Sequence, residues 1–498
     1  MARQGELLNM IQNNDSISSV KSQLAYLFDQ WAAIVGDRSP QTWGQARLML
    51  NEIADFNALA SIGPSDSGYD ARRKINDLLT LQNYQRFEID FAADYGRIIG
   101  DGGRDGRVSE FVSFSRSSTA SYFDQSGTMR FAPINTWRRD YHPVTLEPRG
   151  ILIEEARTNL ARYSETFSVA WSLTGASLIP NSGTSPDGNA GMVAVVEEAT
   201  NGGHSIRHDV PISGSTKYVF SMFVKPAGRS RFRIQNAIVS NWETGAGTTA
   251  IVDLAAGTVV SDIPGGAGIA SYGGGVYRVW MSATTVASPS ATGGFAIQFY
   301  NELGQITYTG DGVSGVLMWG AQVEVGAFPT SYIPTTTAAA TRAADLLDLP
   351  DILSSGVFNA QQSTVFVEYD RYRYDLSIAR LMDRTAGING VLLRSYSNGT
   401  DRFELPNSAS SIAVSPSARK SGMNKVAAGF SADGASIALN GAVTQTAGPI
   451  TENYPAGTAG GLKIGRNNTV TDVLNGHISR LVIFPRRLSN AELQEITA

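Results

Sequence analysis

The sequence contains no cysteine. Disulfide staples, thiolate nucleophiles and thiolate metal sites are therefore excluded. Histidine is almost as scarce, with four residues at 142, 204, 208 and 477. His204 and His208 stand four apart in a stretch patterned as a strand, on one face and about two pleats apart. No glutamate of an HExxH arrangement lies between them, so they read as polar strand residues and no metal site is expected. Charged residues make up 17% and the net charge is −5, which leaves no basic footprint for nucleic acid. No apolar run approaches the ~20 residues of a membrane span, so membrane insertion is not expected. The segment after Met1, with Arg3, Gln4 and Glu6, is too polar for a secretory leader. A Gly-x-Ser-x-Gly elbow and a phosphate-cradling loop between strand and helix are both missing. What the chain does have is glycine, 51 residues of 498, and 9% aromatics. This is the balance of a β-rich surface protein of several domains.

Only the start of the chain reads as helical. Over residues 1–82, Ile17, Val20, Leu24, Leu27, Trp31 and Ile34 fall at alternating spacings of three and four, a heptad seam. Two further helices follow, one from Ser39-Pro40 and one over residues 69–81. The segment packs against itself as a three-helix bundle, or serves as an oligomerising and anchoring base; the second reading is preferred. Residues 83–160 change character and read as a neck and linking segment with short strands. The run at 100–106 is a turn cluster. Counted from Asp101 it partly fits a calcium loop, with Asp105 fifth and Gly106 sixth, but Gly103 and Val112 hold the third and twelfth positions. A loop is the better reading, and no cofactor is expected.

Residues 161–335 show about eight short strands with glycine- or proline-rich turns between them, at 191–197, 203–210, 218–225, 231–239, 248–253, 276–283, 294–300 and 315–324. This spacing predicts a two-sheet jelly roll. Residues 336–350 read as a Thr/Ala-rich linker, and 351–498 as a second antiparallel sandwich. Ser489 with Glu492 three residues later predicts a capping box at a closing helix. The expected fold is thus mainly β: a helical base followed by two antiparallel β-sandwiches.

The string RGILIEEARTN at 149–159 is a short apolar strand ending in packed opposite charges. Arg149, Glu154, Glu155, Arg157 and Asn159 are read as a structural hinge, with the carboxylates paired to Arg149, Arg157 or Arg162, because a buried charge must be paired. Together with FSRSSTASYFD at 114–124, this string resembles a segment of tailed-phage tail-fibre and head-spike proteins. SYIPTTTAAATRAAD at 331–345 is similar to that segment's downstream companion. Residues 161–335 resemble a carbohydrate-binding jelly roll. The ending at 474–493 resembles a laminin-G/concanavalin-A-like domain. The resemblance implies a virion structural protein, head spike or tail fibre, assembled in the host cytoplasm and displayed on the virion surface. It implies attachment to capsid or tail proteins through the base, and a homo-oligomer, a trimer or a pentamer at a vertex. Its ligand would be host cell-surface polysaccharide, bound for adsorption. A capsule-degrading spike enzyme and a decoration protein without ligand are the alternatives.

Glycoside hydrolysis needs two carboxylates roughly 5–9.5 Å apart on a cleft. Glu154 and Glu155 are adjacent, so a strand sends them to opposite faces, and no catalytic residue is assigned. Sugar binding needs exposed aromatic faces with amides and guanidiniums beside them. Residues of these types in loop-like stretches are Asn241, Trp242, Tyr272 and Tyr308 in the jelly roll. In the C-terminal sandwich they are Tyr372, Tyr374, Arg384, Tyr396, Arg402 and Asn467. Trp280 and Trp319 lie inside strand patterns and are assigned to the core.

Overall fold

A computed structural model describes residues 86–99, 104–243, 249–261 and 266–350, and beyond these 358–359, 361–372, 378–383, 392–396, 400–404, 413–414, 420–442, 445–447, 462–467 and 469–498. The chain divides into two units, Met1–Gln85 and Arg86–Ala498. The expected helical base, with Ile17, Val20, Leu24, Leu27, Trp31 and Ile34, lies outside the described residues, as do Asp101, Tyr374 and Arg384. The second unit is mainly β and antiparallel, with one α-helix among the described residues, Asn490–Thr497. No described helix is long and apolar enough to cross a membrane.

Arg86–Ala498 contains two sandwiches, one inserted into the other. In the inner one, two six-stranded sheets face each other. Alternating residues of Lys217–Ala227, Tyr277–Thr284 and Gly315–Val325 point between the sheets: Phe220, Met222 and Val224; Val279 and Met281; Val316 and Met318. Four of the twelve strands, Trp171–Thr174, Ala176–Gly183, Thr258–Ser261 and Ala267–Ser271, are additional to the eight read from the sequence. They are sheet-edge or half-exposed strands, where the apolar alternation is weakest. Both histidines are buried here, His208 within the strand Ser205–Pro211 and His204 just before it. His204 Nδ1 lies 2.6 Å from the Gly175 carbonyl, and His208 Nε2 accepts from the Arg162 amide at 2.8 Å.

The outer sandwich differs from the expected partition. Its spine is Gly476–Phe484, which is buried along nearly its whole length. One edge of that strand is occupied by two strands from the other end of the unit. Arg86–Asp90 pairs with its second half, Phe87 opposite Ile483, and Pro148–Ile153 with its first half, Ile151 opposite Ile478. These two strands, expected in a neck and linking segment, are therefore part of the sandwich. Likewise, 336–350 is not a bare linker, since Leu346–Leu349 lies between Ser113–Ser115 and Leu462–Ile464 in the facing sheet. One core accepts Phe87, Ile89, Ile151, Leu347, Val365 and Ile483 alike. Arg104–Gly106, expected as loop, pairs with Gly96–Ile98 and extends the same sheet. The closing helix covers the sheet's other face through Leu493, and its capping box forms: Glu492 N donates to Ser489 Oγ at 3.3 Å, and Ser489 N to Glu492 Oε2 at 2.7 Å.

The two sandwiches are tied where the inner one begins and ends. Arg157–Asn159 pairs with Ala340–Arg342, Asn159 opposite Ala340. Beside this ladder, five side chains no more than 1% exposed form an ionic knot. Arg138 donates to Glu154 at 2.8 Å and to Asp345 at 2.5 Å, and Arg116 donates to Asp345 at 2.9 Å. Arg342 lies 3.4 Å from Glu154 and 3.8 Å from Asp345. Ser331 gives Glu154 two more bonds, from its amide at 2.8 Å and its hydroxyl at 2.6 Å. Burial alone would raise the Glu154 pKa. The guanidiniums of Arg342 and Arg138, with the Ser331 donors, overcome that and hold it well below the ordinary carboxylate range.

Candidate functional site

A cleft of about 250 Å³ lies between the outer face of an inner-sandwich sheet and the segments around it. Its first wall comes from Ala267–Ser271 and Tyr277–Thr284. Trp280 is half-buried and stands opposite Gly268 on the neighbouring strand. A Cβ on Gly268 would come within 2.1 Å of the indole, so glycine is what lets the ring lie down on the sheet. Tyr272 begins a turn of three glycines, 273 to 275, with φ of 80°, 59° and 78°, a left-handed run closed to most side chains. The turn closes with Val276 N donating to the Gly273 carbonyl at 2.9 Å. Tyr272 then packs against Phe123 at 5.2 Å and edge-on to Phe223 at 5.1 Å.

The second wall comes from the outer sandwich and the hairpin Ala120–Phe123/Met129–Ala132. It contributes Tyr122, Asp140, Arg149 and Tyr372. Arg149 donates to Asp370 Oδ2 at 2.7 Å. Asp140 accepts from the Phe123 amide at 2.7 Å and from His477 Nε2 at 2.7 Å. His477 is fully buried; burial and the Arg149 cation push its pKa down despite the Asp140 carboxylate, so the ring stays neutral and donates. Tyr372 lies edge-on to His477 at 5.6 Å. Burial and the Glu154 and Asp140 charges hold its phenol protonated far above the usual range. Ser121 and Ser331, which line the cleft, are also partners of Arg138, so the cleft floor is the surface of the ionic knot.

Of the residues expected to bind sugar, Tyr272 and Tyr372 meet in this cleft. Several others are structural. Trp242 is 1% exposed. The left-handed Ile238 and the 3-10 turn Val239–Asn241 fold it back under the sheet, where its indole N–H donates to the Ala237 carbonyl at 3.0 Å. Asn241 is buried and bridges Ser290 and Thr292. Tyr308 is buried, its hydroxyl donating to Glu197 at 2.7 Å. Asn467 closes its own loop through Thr471. Arg402 sits half-buried on the strand Asp401–Glu404. Tyr396 ends the strand Leu392–Tyr396, and its side chain is outside the described residues. Trp242, Asn241, Tyr308 and Asn467 looked loop-borne because turn residues surround them, yet their own polar atoms are consumed inside the fold. Trp280 is the reverse case. It shares a strand with buried Val279 and Met281 but has the opposite parity, and so faces the cleft.

Of the two hinge carboxylates, Glu154 takes partners other than those anticipated, whereas Glu155 takes one of the anticipated arginines. Glu154 pairs with Arg138 and Arg342, not with Arg149, Arg157 or Arg162. Glu155 pairs with Arg157 at 2.6 Å, and Arg157 stacks over Phe328 at 5.2 Å. Asn159 is fully bonded: its amide donates to the Ala321 and Ile333 carbonyls, and its oxygen accepts from Ala161 and Val323. The knot residues Arg116, Arg138, Arg342 and Asp345 were not singled out by sequence reasoning. The signal for three of them was present, since Arg116, Arg342 and Asp345 lie inside the strings at 114–124 and 331–345. Among the described residues, no group of three or more acidic or histidine side chains is arranged to hold a metal ion.

No family model matches the chain, and no curated protein matches it. Among solved structures, the chain is similar to the CBM40 module of a Ruminococcus gnavus IT-sialidase, bound there to alpha2,3 sialyllactose. Identity is 20% over 29% of this chain and 86% of that one, with a TM-score of 0.26. It is also similar to domain 4 of AbnA, a GH43 extracellular arabinanase from Geobacillus stearothermophilus, in complex with arabinotriose. Identity there is 14% over 34% of this chain and 82% of that one, with a TM-score of 0.22. Domains LG4-5 of the mouse laminin alpha1 chain are 11% identical over 65% of this chain and 96% of that one, with a TM-score of 0.20.

Proposed function

We propose that this protein is a virion surface protein, a head spike or tail fibre, that binds host cell-surface polysaccharide in the cleft between its two sandwiches. One observation carries the binding reading: half-buried Tyr272 and Trp280 stand opposite Tyr122 and Tyr372, with Arg149 and Asp140 beside them. Aromatic faces take the apolar side of a sugar ring, and fixed charged groups take its hydroxyls. At about 250 Å³ the cleft suits one sugar unit with the polymer continuing into solvent. The phage-like strings support the virion setting, because all three contribute residues to the knot under the cleft: Arg116, Glu154, Arg342 and Asp345. In this reading residues 1–82 carry attachment to capsid or tail proteins and oligomer formation, and multivalency supplies the avidity.

Tyr272→Ala should weaken binding to immobilised host polysaccharide about tenfold or more, equivalent to about 1.4 kcal/mol, while the melting temperature moves by only a few degrees. Unchanged binding would move the site elsewhere. Antibody labelling of intact particles tests the location, and label restricted to the host cytoplasm would refute it.

The protein binds without cleaving. Asp140 is the acidic residue lining the cleft, and both its oxygens are engaged by His477 and the Phe123 amide. Incubation with host polysaccharide should release no new reducing ends. Heat-labile release of such ends would establish the depolymerase alternative.

A further inference from the structure

The cleft contains a cation without a counter-charge. Arg278 is 6% exposed, on the same strand face as Trp280 two residues along. Its Nη2 donates to Ser221 Oγ at 3.1 Å, its Nε has no partner, and its guanidinium sits 5.3 Å over the Phe223 ring. No carboxylate forms an ion pair with it among the described residues. Buried guanidiniums are ordinarily paired, because an isolated charge taken out of water is costly. The other charged groups of the cleft are already engaged: Arg149 pairs with Asp370, and Asp140 accepts hydrogen bonds from the neutral His477 ring and the Phe123 amide.

Resting on the binding reading above, we infer that the ligand is an acidic saccharide whose carboxylate completes Arg278 while its ring packs on Trp280 and Tyr272. The guanidinium fork matches a planar carboxylate with two parallel donors, a geometry a hydroxyl does not fill. Trp280 and Arg278 project from the same face two residues apart, about 7 Å along the strand. That spacing sets a ring face beside a carboxylate on the same sugar.

The test uses the full-length protein and four immobilised probes: polygalacturonate, a uronic acid polymer; colominic acid, a nonulosonic acid polymer; and the carboxyl-reduced neutral form of each. Native protein should bind at least one acidic polymer about tenfold or more tightly than its reduced counterpart, and the polymer that binds identifies the source of the carboxylate. Arg278→Met should bring the acidic and reduced forms to similar affinity, and Arg278→Lys should restore part of the preference. Tyr272→Ala should weaken both forms together. Equal binding of acidic and reduced polymers by native protein overturns the acidic assignment and leaves the glycan reading standing; this arm does not depend on any variant folding. A preference that survives in Arg278→Met removes Arg278 from the site. Absence of binding to all four probes, with host polysaccharide still bound, overturns the inference alone. Absence of binding to host polysaccharide as well overturns both.

Discussion

Replacing Glu154 by alanine should lower the stability of the Arg86–Ala498 unit by about 3–5 kcal/mol, the usual cost of removing one partner from a buried ion pair. The reason is what remains behind. Arg138 and Arg342 would share only Asp345, which already accepts from Arg116. The Ser331 amide and hydroxyl would also lose their acceptor. Glu155→Ala should cost far less, about 0–1 kcal/mol, because the Glu155 side chain is 29% exposed and its pair with Arg157 is open to water. Urea unfolding of both variants checks this, and a Glu154→Ala shift no larger than that of Glu155→Ala would show the knot to be energetically idle. The pH dependence has a definite sign. The folded pKa of Glu154 lies below its ordinary 4.5. Its stabilisation is therefore complete above that value and fades as pH falls below it, as protons bind the unfolded state first. The gap between native protein and Glu154→Gln should close in acid.

A chain beginning at Arg107 should not form the outer sandwich, whereas one beginning at residue 84 should. The shorter chain lacks Phe87, Ile89 and Phe91, each at most 3% exposed and all part of the one core. Truncating a single buried phenylalanine commonly costs about 3–5 kcal/mol, so losing all three exceeds much of the 5–15 kcal/mol margin typical of a domain. The second half of Gly476–Phe484 would also become an open edge, inviting aggregation. Amide exchange should find Leu481 and Ile483 protected in the longer chain and unprotected in the shorter. Equal protection would show that Arg86–Asp90 is dispensable. The longer chain also tests the role given to the region before it. It should bind polysaccharide as a lower oligomer and fail to enter particles, and its uptake into particles would place attachment elsewhere.

The local features of this fold were readable from sequence. Alternation marked the inner strands, and Ser489 with Glu492 marked the closing helix, because each depends on residues a few positions apart. The outer sandwich was not readable in the same way. Phe87 meets Ile483 across the chain, and nothing near residue 87 announces that partner. The site divides along similar lines. Tyr272 is recognisable because a glycine turn presents it. Trp242 misleads because a left-handed residue four positions earlier turns it inward. Arg278 and Trp280 were hidden by parity: on a sheet with something packed on both faces, apolar and polar types no longer sort inside from outside.

The insertion of one sandwich into the other also sets an order of manufacture. The inner sheets close among residues 171 to 325, so they can form while the rest of the chain is still on the ribosome. Glu88 must wait for Arg480, 392 residues later. At synthesis rates of about 5–20 residues per second, that wait is on the order of 20–80 s. Once residue 325 has been made, Tyr272, Trp280 and Arg278 stand ready on a finished surface for the rest of it. The wall carrying Arg149 and Tyr372 takes its place only when the last strands arrive, so a nascent chain holds half a cleft, and ligand recognition is among the final properties the protein acquires.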